Sequence, residues 1–416
     1  MPTTPTYHII PALRFPDFLN DGEWEVKRLG DIAEKVTSKN KSNEQLPVLT
    51  NSATEGVVNQ QDYFDREIVT RENLTNYHII ELNDFVYNPP ISVAAPVGPI
   101  SRNKIGIGIM SPLYTIFKFK EGNIDFFEQY FRTNCWHQYL KDRANFGARF
   151  DRMNISNEDF FNLPISFPPL AEQCRIAACL SALDEMLAAT NDKLEQLKAY
   201  KKGLLQKLFP AQGKTMPEFR FKEFEKDGEW EIKKLGDIIT EVKDTTNDSA
   251  TIPLYSLTIE EGITAKTERY ERGFLVTKKD NVFKVVSPND FVSNPMNLRF
   301  GAIGCNHNTF SVCVSGYYDV FRFKESGNSV FWVNYLKSDL LLHKYDEIAI
   351  GSLIEKRRVY YSNLQNLSVL VPSIQEQRRI ANCLSLIDET INAYAEKIVH
   401  FRQYKKGLMH QMFVNN

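Results

Sequence analysis

Two stretches of the chain repeat apolar positions at alternating steps of three and four. The first runs Ile176, Leu180, Leu183, Leu187, Thr190, Leu194, Leu197, Lys201, Leu204 and Leu208. The second runs Ile380, Leu384, Ile387, Ile391, Tyr394, Ile398, Phe401, Lys405, Leu408 and Met412. Sustained over about five heptads, this spacing predicts a coiled-coil helix in each stretch. Pro168-Pro169 precedes the first and Pro372-Ser373 the second, both helix-start signals. At about 1.5 Å per residue, each helix would span on the order of 55–60 Å. The simplest partner for one such helix is the other, paired antiparallel. Elsewhere Tyr114-Thr-Ile-Phe-Lys-Phe119 and Tyr318-Asp-Val-Phe-Arg-Phe323 alternate and read as strands. Asp125 to Leu140 and Ser329 to Leu342, rich in aromatics, read as helices. The class is α+β: two globular modules, each followed by a long α-helix.

The same pattern is written twice. Pro11-Ala-Leu-Arg-Phe15 recurs as Pro217-Glu-Phe-Arg-Phe221, and Asp21-Gly-Glu-Trp-Glu-Val-Lys-Arg-Leu-Gly-Asp-Ile32 as Asp227-Gly-Glu-Trp-Glu-Ile-Lys-Lys-Leu-Gly-Asp-Ile238. Asp84-Phe-Val-Tyr-Asn-Pro89 recurs as Asp290-Phe-Val-Ser-Asn-Pro295, at the offset of 206 that separates Trp24 from Trp230. Glu172-Gln-Cys-Arg-Ile-Ala177 matches Glu376-Gln-Arg-Arg-Ile-Ala381, and Tyr200-Lys-Lys-Gly-Leu204 matches Tyr404-Lys-Lys-Gly-Leu408, now at an offset of 204. The predicted organisation is an N-terminal segment 1–20, a module 21–166, a helix 167–210, a second module 211–370 and a second helix 371–416. The helices repeat strongly, whereas 91–113 and 297–317 barely align. A constant frame with two divergent regions suits two modules that read different things.

Composition narrows the function. With 416 residues the chain is too long for one ordinary core. No run of roughly 18 apolar residues predicts a membrane span, and the polar N-terminus lacks a secretory pattern, so the cytoplasm is the expected compartment. The six cysteines, Cys135, Cys174, Cys179, Cys305, Cys313 and Cys383, form no CxxC pair and read as reduced thiols. The seven histidines do not pair into metal-ligand spacing. The net charge of −2 means that any nucleic-acid contact must come from local basic clusters.

Such clusters lie late in each module: Arg143, Arg149 and Arg152 around Gly147, and Lys356, Arg357 and Arg358 after Gly351-Ser352. Arg102 and Lys104 lie in the divergent stretch of the first half, Arg299 in that of the second, and Lys278 and Lys279 form a further pair. Arginine and lysine near glycine-containing loops suit phosphate neutralisation and bidentate reading of guanine, so these residues are the candidate DNA contacts. The repeated polar residues of the helices, Glu172, Gln173, Arg175, Lys201, Lys202, Glu376, Gln377, Arg379, Lys405 and Lys406, are candidates for a docking surface presented twice. A competing site is Asn88-Pro-Pro-Ile91, which resembles the Asn-Pro-Pro-aromatic motif of adenine-N6 methyltransferases. Ile91 replaces the aromatic, the second copy reads Asn294-Pro-Met, and no glycine-rich cofactor loop accompanies it, so a turn is the better reading. No nucleotide-binding P-loop and no Gly-x-Ser-x-Gly elbow occur.

Taken in order and duplicated, the motifs Arg-Phe-x-x-Phe, Gly-Glu-Trp-x-x-x-x-Leu-Gly-Asp-Ile, Pro-x-x-x-Glu-Gln-x-(Arg)-Ile-Ala-x-x-Leu and Tyr-Lys-Lys-Gly-Leu are specific. Through them the chain resembles type I restriction-modification specificity subunits over essentially its full length. The resemblance implies two target recognition domains, each reading one half of a bipartite site in double-stranded DNA. It also implies an antiparallel coiled coil that fixes the gap between half-sites, and docking of two methyltransferase subunits. A non-catalytic role follows, with S-adenosylmethionine on the methyltransferase subunits, and ATP and Mg on added restriction or translocase subunits. No cofactor is then expected on this chain. The alternative is a stand-alone adenine-N6 DNA methyltransferase acting through Asn88-Pro-Pro90.

Overall fold

The computed structural model describes residues 9–63, 71–144, 151–249, 251–265, 282–325, 328–353 and 357–414. The chain divides into two compact units, residues 1–190 with 396–416, and residues 191–395. Each unit therefore owns one globular module and one half of each long helix, a division that cuts across the linear order of module and helix.

The long helices are Leu170–Leu208 and Ile374–Met412. Pro169 and Ser373 start them: their carbonyls accept the N–H groups of Gln173 and Gln377, and the Ser373 hydroxyl accepts the Glu376 N–H at 3.2 Å. In the first unit Ile176, Leu180 and Leu183 pack with Leu408, Met409, Met412 and Phe413. In the second, Leu204, Leu205 and Leu208 pack with Ile380 and Leu384. The beginning of one helix meets the end of the other in both units, so the pairing is antiparallel. Every heptad position read from the sequence is buried or half-buried. Burying a large apolar side chain contributes about 1.5–3 kcal/mol, which is what holds such long helices to the modules and to each other.

Each module is built on a four-stranded antiparallel sheet. In the first, the order is Ala33–Lys35, Thr115–Phe119, Phe85–Tyr87, Ile100–Arg102. In the second it is Ile239–Glu241, Asp319–Phe323, Phe291–Ser293, Ile303–Cys305. The alternating strands expected at 114–119 and 318–323 are the central ones. Alternation sends Phe117 and Phe321 into the core, stacked on Phe85 and Phe291 at 5.7 and 5.6 Å between ring centroids. Outlying hairpins pair Leu49–Ser52 with Gly56–Asn59 and Tyr255–Thr258 with Gly262–Ala265.

The aromatic helices are broken where continuous ones were expected. Ile124–Phe131 is followed by a separate helix His137–Arg143, and Ser329–Leu336 by Asp339–Ile348. At the first break the Thr133 hydroxyl takes the Tyr130 carbonyl at 2.6 Å, a local bond that competes with the helix ladder. At the second, Ser338 adopts extended backbone at the cap of the next helix.

Candidate functional site

The Asp-Phe-Val-x-Asn-Pro repeat builds a turn, a strand and a second turn. Asn83 and Asn289 sit at φ 75° and 66°, a left-handed conformation that asparagine tolerates. The buried carboxylates of Asp84 and Asp290 accept the N–H groups of Glu81 and Ser287 at 2.8 and 3.0 Å, closing the turn. Burial pushes the Asp84 carboxyl above its ordinary range. Beyond the strand, the carbonyls of Pro89 and Pro295 accept the N–H groups of Met153 and Val359, both at 2.9 Å. The Asn-Pro step thus anchors the segment that follows each glycine-containing loop. The Asn88 amide donates inward to the Asn51 carbonyl at 2.9 Å, a use that gives the methyltransferase alternative no support.

The cations expected to contact DNA fall into two groups. Arg102 binds Asn83, Asp125 and Glu128 with a side chain only 12% exposed. Arg299 is buried against the Asp346 carboxylate at 2.6 Å, and Arg357 caps a helix end through the carbonyls of Asp346 and Ala349. Arg102 and Arg299 are turned into the fold rather than presented on the surface expected, held by carboxylates distant in sequence, whereas Arg357 stays partly exposed and is tied to nearby carbonyls of its own segment. Lys104 is exposed and meets Glu128 at 2.7 Å. Arg143 is exposed, over the Tyr139 ring at 5.5 Å. Arg152 and Arg358 are half-exposed. Arg149, Lys278, Lys279 and Lys356 lie outside the described residues.

The candidate docking residues divide in the same way. Glu172, Gln173, Glu376 and Gln377 are buried, not displayed. Glu172 receives a bidentate Arg14 at 2.7 Å and the Trp24 indole N–H at 3.0 Å, and Glu376 receives Arg220 at 2.8 Å. Gln173 and Gln377 donate to the carbonyls of Pro168 and Pro372 at 2.8 and 3.0 Å. The Arg-Phe and Glu-Gln motifs are therefore two ends of one strut that ties the entry segment of each module to its helix. The pairing of Arg14 and Arg220 with these glutamates was not read from the sequence, although both arginines stand inside a repeated motif. Lys405 and Lys201 point into the helix pair, where they meet Asp184 and Asp388 at 2.6 Å. Lys202, Lys406, Arg175 and Arg379 remain exposed, the last two stacked on Phe15 and Phe221 at 5.4 and 4.7 Å.

A groove of about 470 Å³ in the first unit is lined by Thr133, Asn134, Cys135, Lys406, Met409 and His410 among others. In the second unit the same positions at the offset of 204, namely Lys337, Ser338, Asp339, Lys202, Leu205 and Gln206, line a groove of about 450 Å³. Each lies where the end of a long helix passes the break between the two aromatic helices. Among the described residues no cluster of histidine, cysteine and carboxylate side chains could hold a metal ion. None of the described helices is long and apolar enough to cross a membrane.

A duplicated α+β module with a duplicated strut and groove defines a tandem-repeat protein of two like halves. The family model for the type I restriction modification DNA specificity domain matches residues 21–199 and again residues 227–399, and the chain belongs to that family as a DNA-recognition subunit of a type I restriction-modification system. The type I restriction enzyme MjaVIII specificity subunit of Methanocaldococcus jannaschii is 24% identical over 438 residues, covering 96% of this chain and 92% of that one. A chain from a structure concerned with complex assembly and conformational transition of a type I R-M system aligns with a TM-score of 0.56 at 16% identity, over 94% of this chain and 97% of that one. The S subunit of a type I restriction-modification system from M. genitalium aligns at 0.55 and 14% identity, over 98% of this chain and 100% of that one. At those identities the likeness is one of fold.

Proposed function

We propose that this chain is the non-catalytic reader shared by two methyltransferase subunits, one docked on each repeat, and that each module reads one half of a bipartite site. The observation that supports this most is the groove repeated at equivalent positions. An apolar wall from Met409 or Leu205 with Lys406 or Lys202 at the rim suits an apolar segment flanked by carboxylates, offered twice by two copies of one partner. Double-stranded DNA meets the exposed part of the basic set, Lys104, Arg143, Arg152 and Arg358, joined by Arg149, Lys278, Lys279 and Lys356. S-adenosylmethionine belongs to the methyltransferase subunits. ATP and Mg belong to restriction or translocase subunits that join the complex. The compartment is the cytoplasm.

Native mass spectrometry of the chain co-expressed with its methyltransferase subunit tests the reading. The expected assembly holds two methyltransferase subunits per chain. Lys406→Glu or Lys202→Glu each reduces it to one, and the double variant to none. Labelled S-adenosylmethionine should mark DNA only when the partner is present. Labelling by the purified chain alone, or loss of both partners in either single variant, refutes the proposal.

A further inference from the structure

Arg152 and Arg358 occupy one place in the two modules, although the sequence offset of 204 would pair Arg152 with Lys356. The backbone decides the register. Each arginine immediately precedes the residue, Met153 or Val359, whose N–H is held by the carbonyl of an Asn-Pro turn at 2.9 Å. Their bridges differ, Arg152 pairing with Pro90 of the turn and Arg358 with Ile350 of its own segment, so the shared feature is the anchored residue that follows each. Met153 and Val359 are buried, at 3% and 1% exposure. Neighbouring residues of an extended segment point to opposite faces, so the arginines point outward.

Among the described residues, neither guanidinium donates a hydrogen bond. Among the described arginines between 211 and 370, Arg220, Arg299, Arg322 and Arg357 each engage a carboxylate. Arg358 engages none among the described residues; it lies over the ring of Tyr317 at 5.4 Å. A ring fixes the plane of a guanidinium through its face and leaves the N–H edge open. Among the described residues Arg152 meets only its neighbour Asp151, at 3.7 Å from Nε, beyond hydrogen-bond length, and that Nε is buried with no hydrogen-bond partner among them. The turn equivalent to Ser315–Tyr318, which carries Tyr317, is Ser111–Tyr114 in the first module, with Leu113 at that position. The arginine is thus held constant while the residue at the place of Tyr317 changes to leucine.

We propose that Arg152 and Arg358 are specificity-determining residues, each presenting its guanidinium fork to the O6 and N7 acceptors of a guanine in the half-site of its own module. A pair of phosphate oxygens offers the same acceptor chemistry. For Arg358 a base is favoured because reading one requires a fixed plane, which Tyr317 supplies, whereas neutralising a phosphate requires only charge; Arg152 is assigned the same role by its equivalent backbone anchor. The proposal rests on the reading above, that each module serves one half-site.

The test uses the full chain assembled with its methyltransferase subunits, with methylated sites mapped over a genome. Arg358→Ala should relax a single guanine position in one half-site by about tenfold or more and leave the other half-site unchanged. Arg152→Ala should do the same in the opposite half. Arg358→Lys keeps the charge and loses the fork, so the motif relaxes while methylation persists; this variant decides the matter where the alanine variant fails to assemble. Three results overturn the proposal: an unchanged motif with uniformly weaker methylation, which marks a phosphate contact; an unchanged motif at unchanged level; or both variants acting on the same half-site. If the wild-type complex yields no split motif, the docking reading fails. Selection of duplexes from a random library by the chain itself then reads the same positions without any methyltransferase.

Discussion

Replacing either member of the Lys405–Asp184 pair should give unequal losses. Lys405 Nζ lies 2.6 Å from Asp184 Oδ1, with side chains 9% and 36% exposed. Asp184 Oδ2 also accepts from Gln129 at 3.0 Å and Arg132 at 2.8 Å. Asp184→Ala leaves a buried ammonium beside Arg132 with no carboxylate bonded to it, Glu128 being engaged by Arg132. Breaking a fully buried pair costs roughly 3–5 kcal/mol, and the partial exposure of Asp184 discounts this to about 2–3 kcal/mol. Lys405→Met fills the same space with an apolar chain and leaves Asp184 two partners and access to water, so about 1 kcal/mol or less is expected. The assay is urea unfolding read by hydrogen exchange at amides of residues 9–190, so that the second unit does not obscure the first. The double variant completes a cycle whose coupling should be about 1–2 kcal/mol. Equal losses, or a larger loss for Lys405→Met, would show that the pair is not desolvated as described.

Acid should weaken the same contact. Burial alone would raise the Asp184 carboxyl, but Lys405, Gln129 and Arg132 outweigh it and hold it below its ordinary range. A carboxylate depressed in the folded state contributes stability present at neutral pH and lost as pH falls through the folded-state value. A pH series below about 4 should thus be flatter in Asp184→Ala than in the parent. Glu172→Ala strands Arg14 and the Trp24 indole and should cost about 3 kcal/mol or more by thermal unfolding. Glu376→Ala should cost somewhat less, because the indole nitrogen of Trp230 is unpaired already. Gly98→Ala places a Cβ 2.1 Å from the Asn88 carbonyl at φ 82°, whereas Gly22→Ala meets open space at φ 75°. Both pay about 1–2 kcal/mol for the left-handed backbone, and the excess in Gly98→Ala, measured by thermal unfolding, isolates the clash.

The frame was legible in the sequence because its signals are periodic or duplicated. Heptads such as Ile176-Leu180-Leu183 and alternation such as Thr115 to Phe119 depend only on neighbours along the chain, and a second copy confirms each. What was not legible depends on partners far away. Nothing near Glu172 in sequence announces Arg14, and nothing near Arg299 announces Asp346, so polar residues that read as surface turned out to be internal. Lys201 and Lys405 were read as available ends, yet their heptad positions place them against Asp388 and Asp184. The aromatic helices looked continuous because composition does not reveal that Thr133 will bond its own turn. The equivalence of Arg152 and Arg358 was hidden by a two-residue slip that only their backbone anchors resolve.

The sharing of the long helices between units bears on how the molecule is made. The core of the first unit contains Met412 and Phe413, with Phe413 against Phe126 and Tyr130 at 5.3 and 6.0 Å between ring centroids. The first module is thereby completed by residues translated only after the whole of the second unit. Until then, the apolar face formed by Ile176, Leu180 and Leu183 has no helix to cover it, while the second unit is already whole once residue 395 has emerged. A nascent chain of this design keeps part of its first unit uncovered while the second is made, and loss of Met412 and Phe413 would injure a module translated long before them.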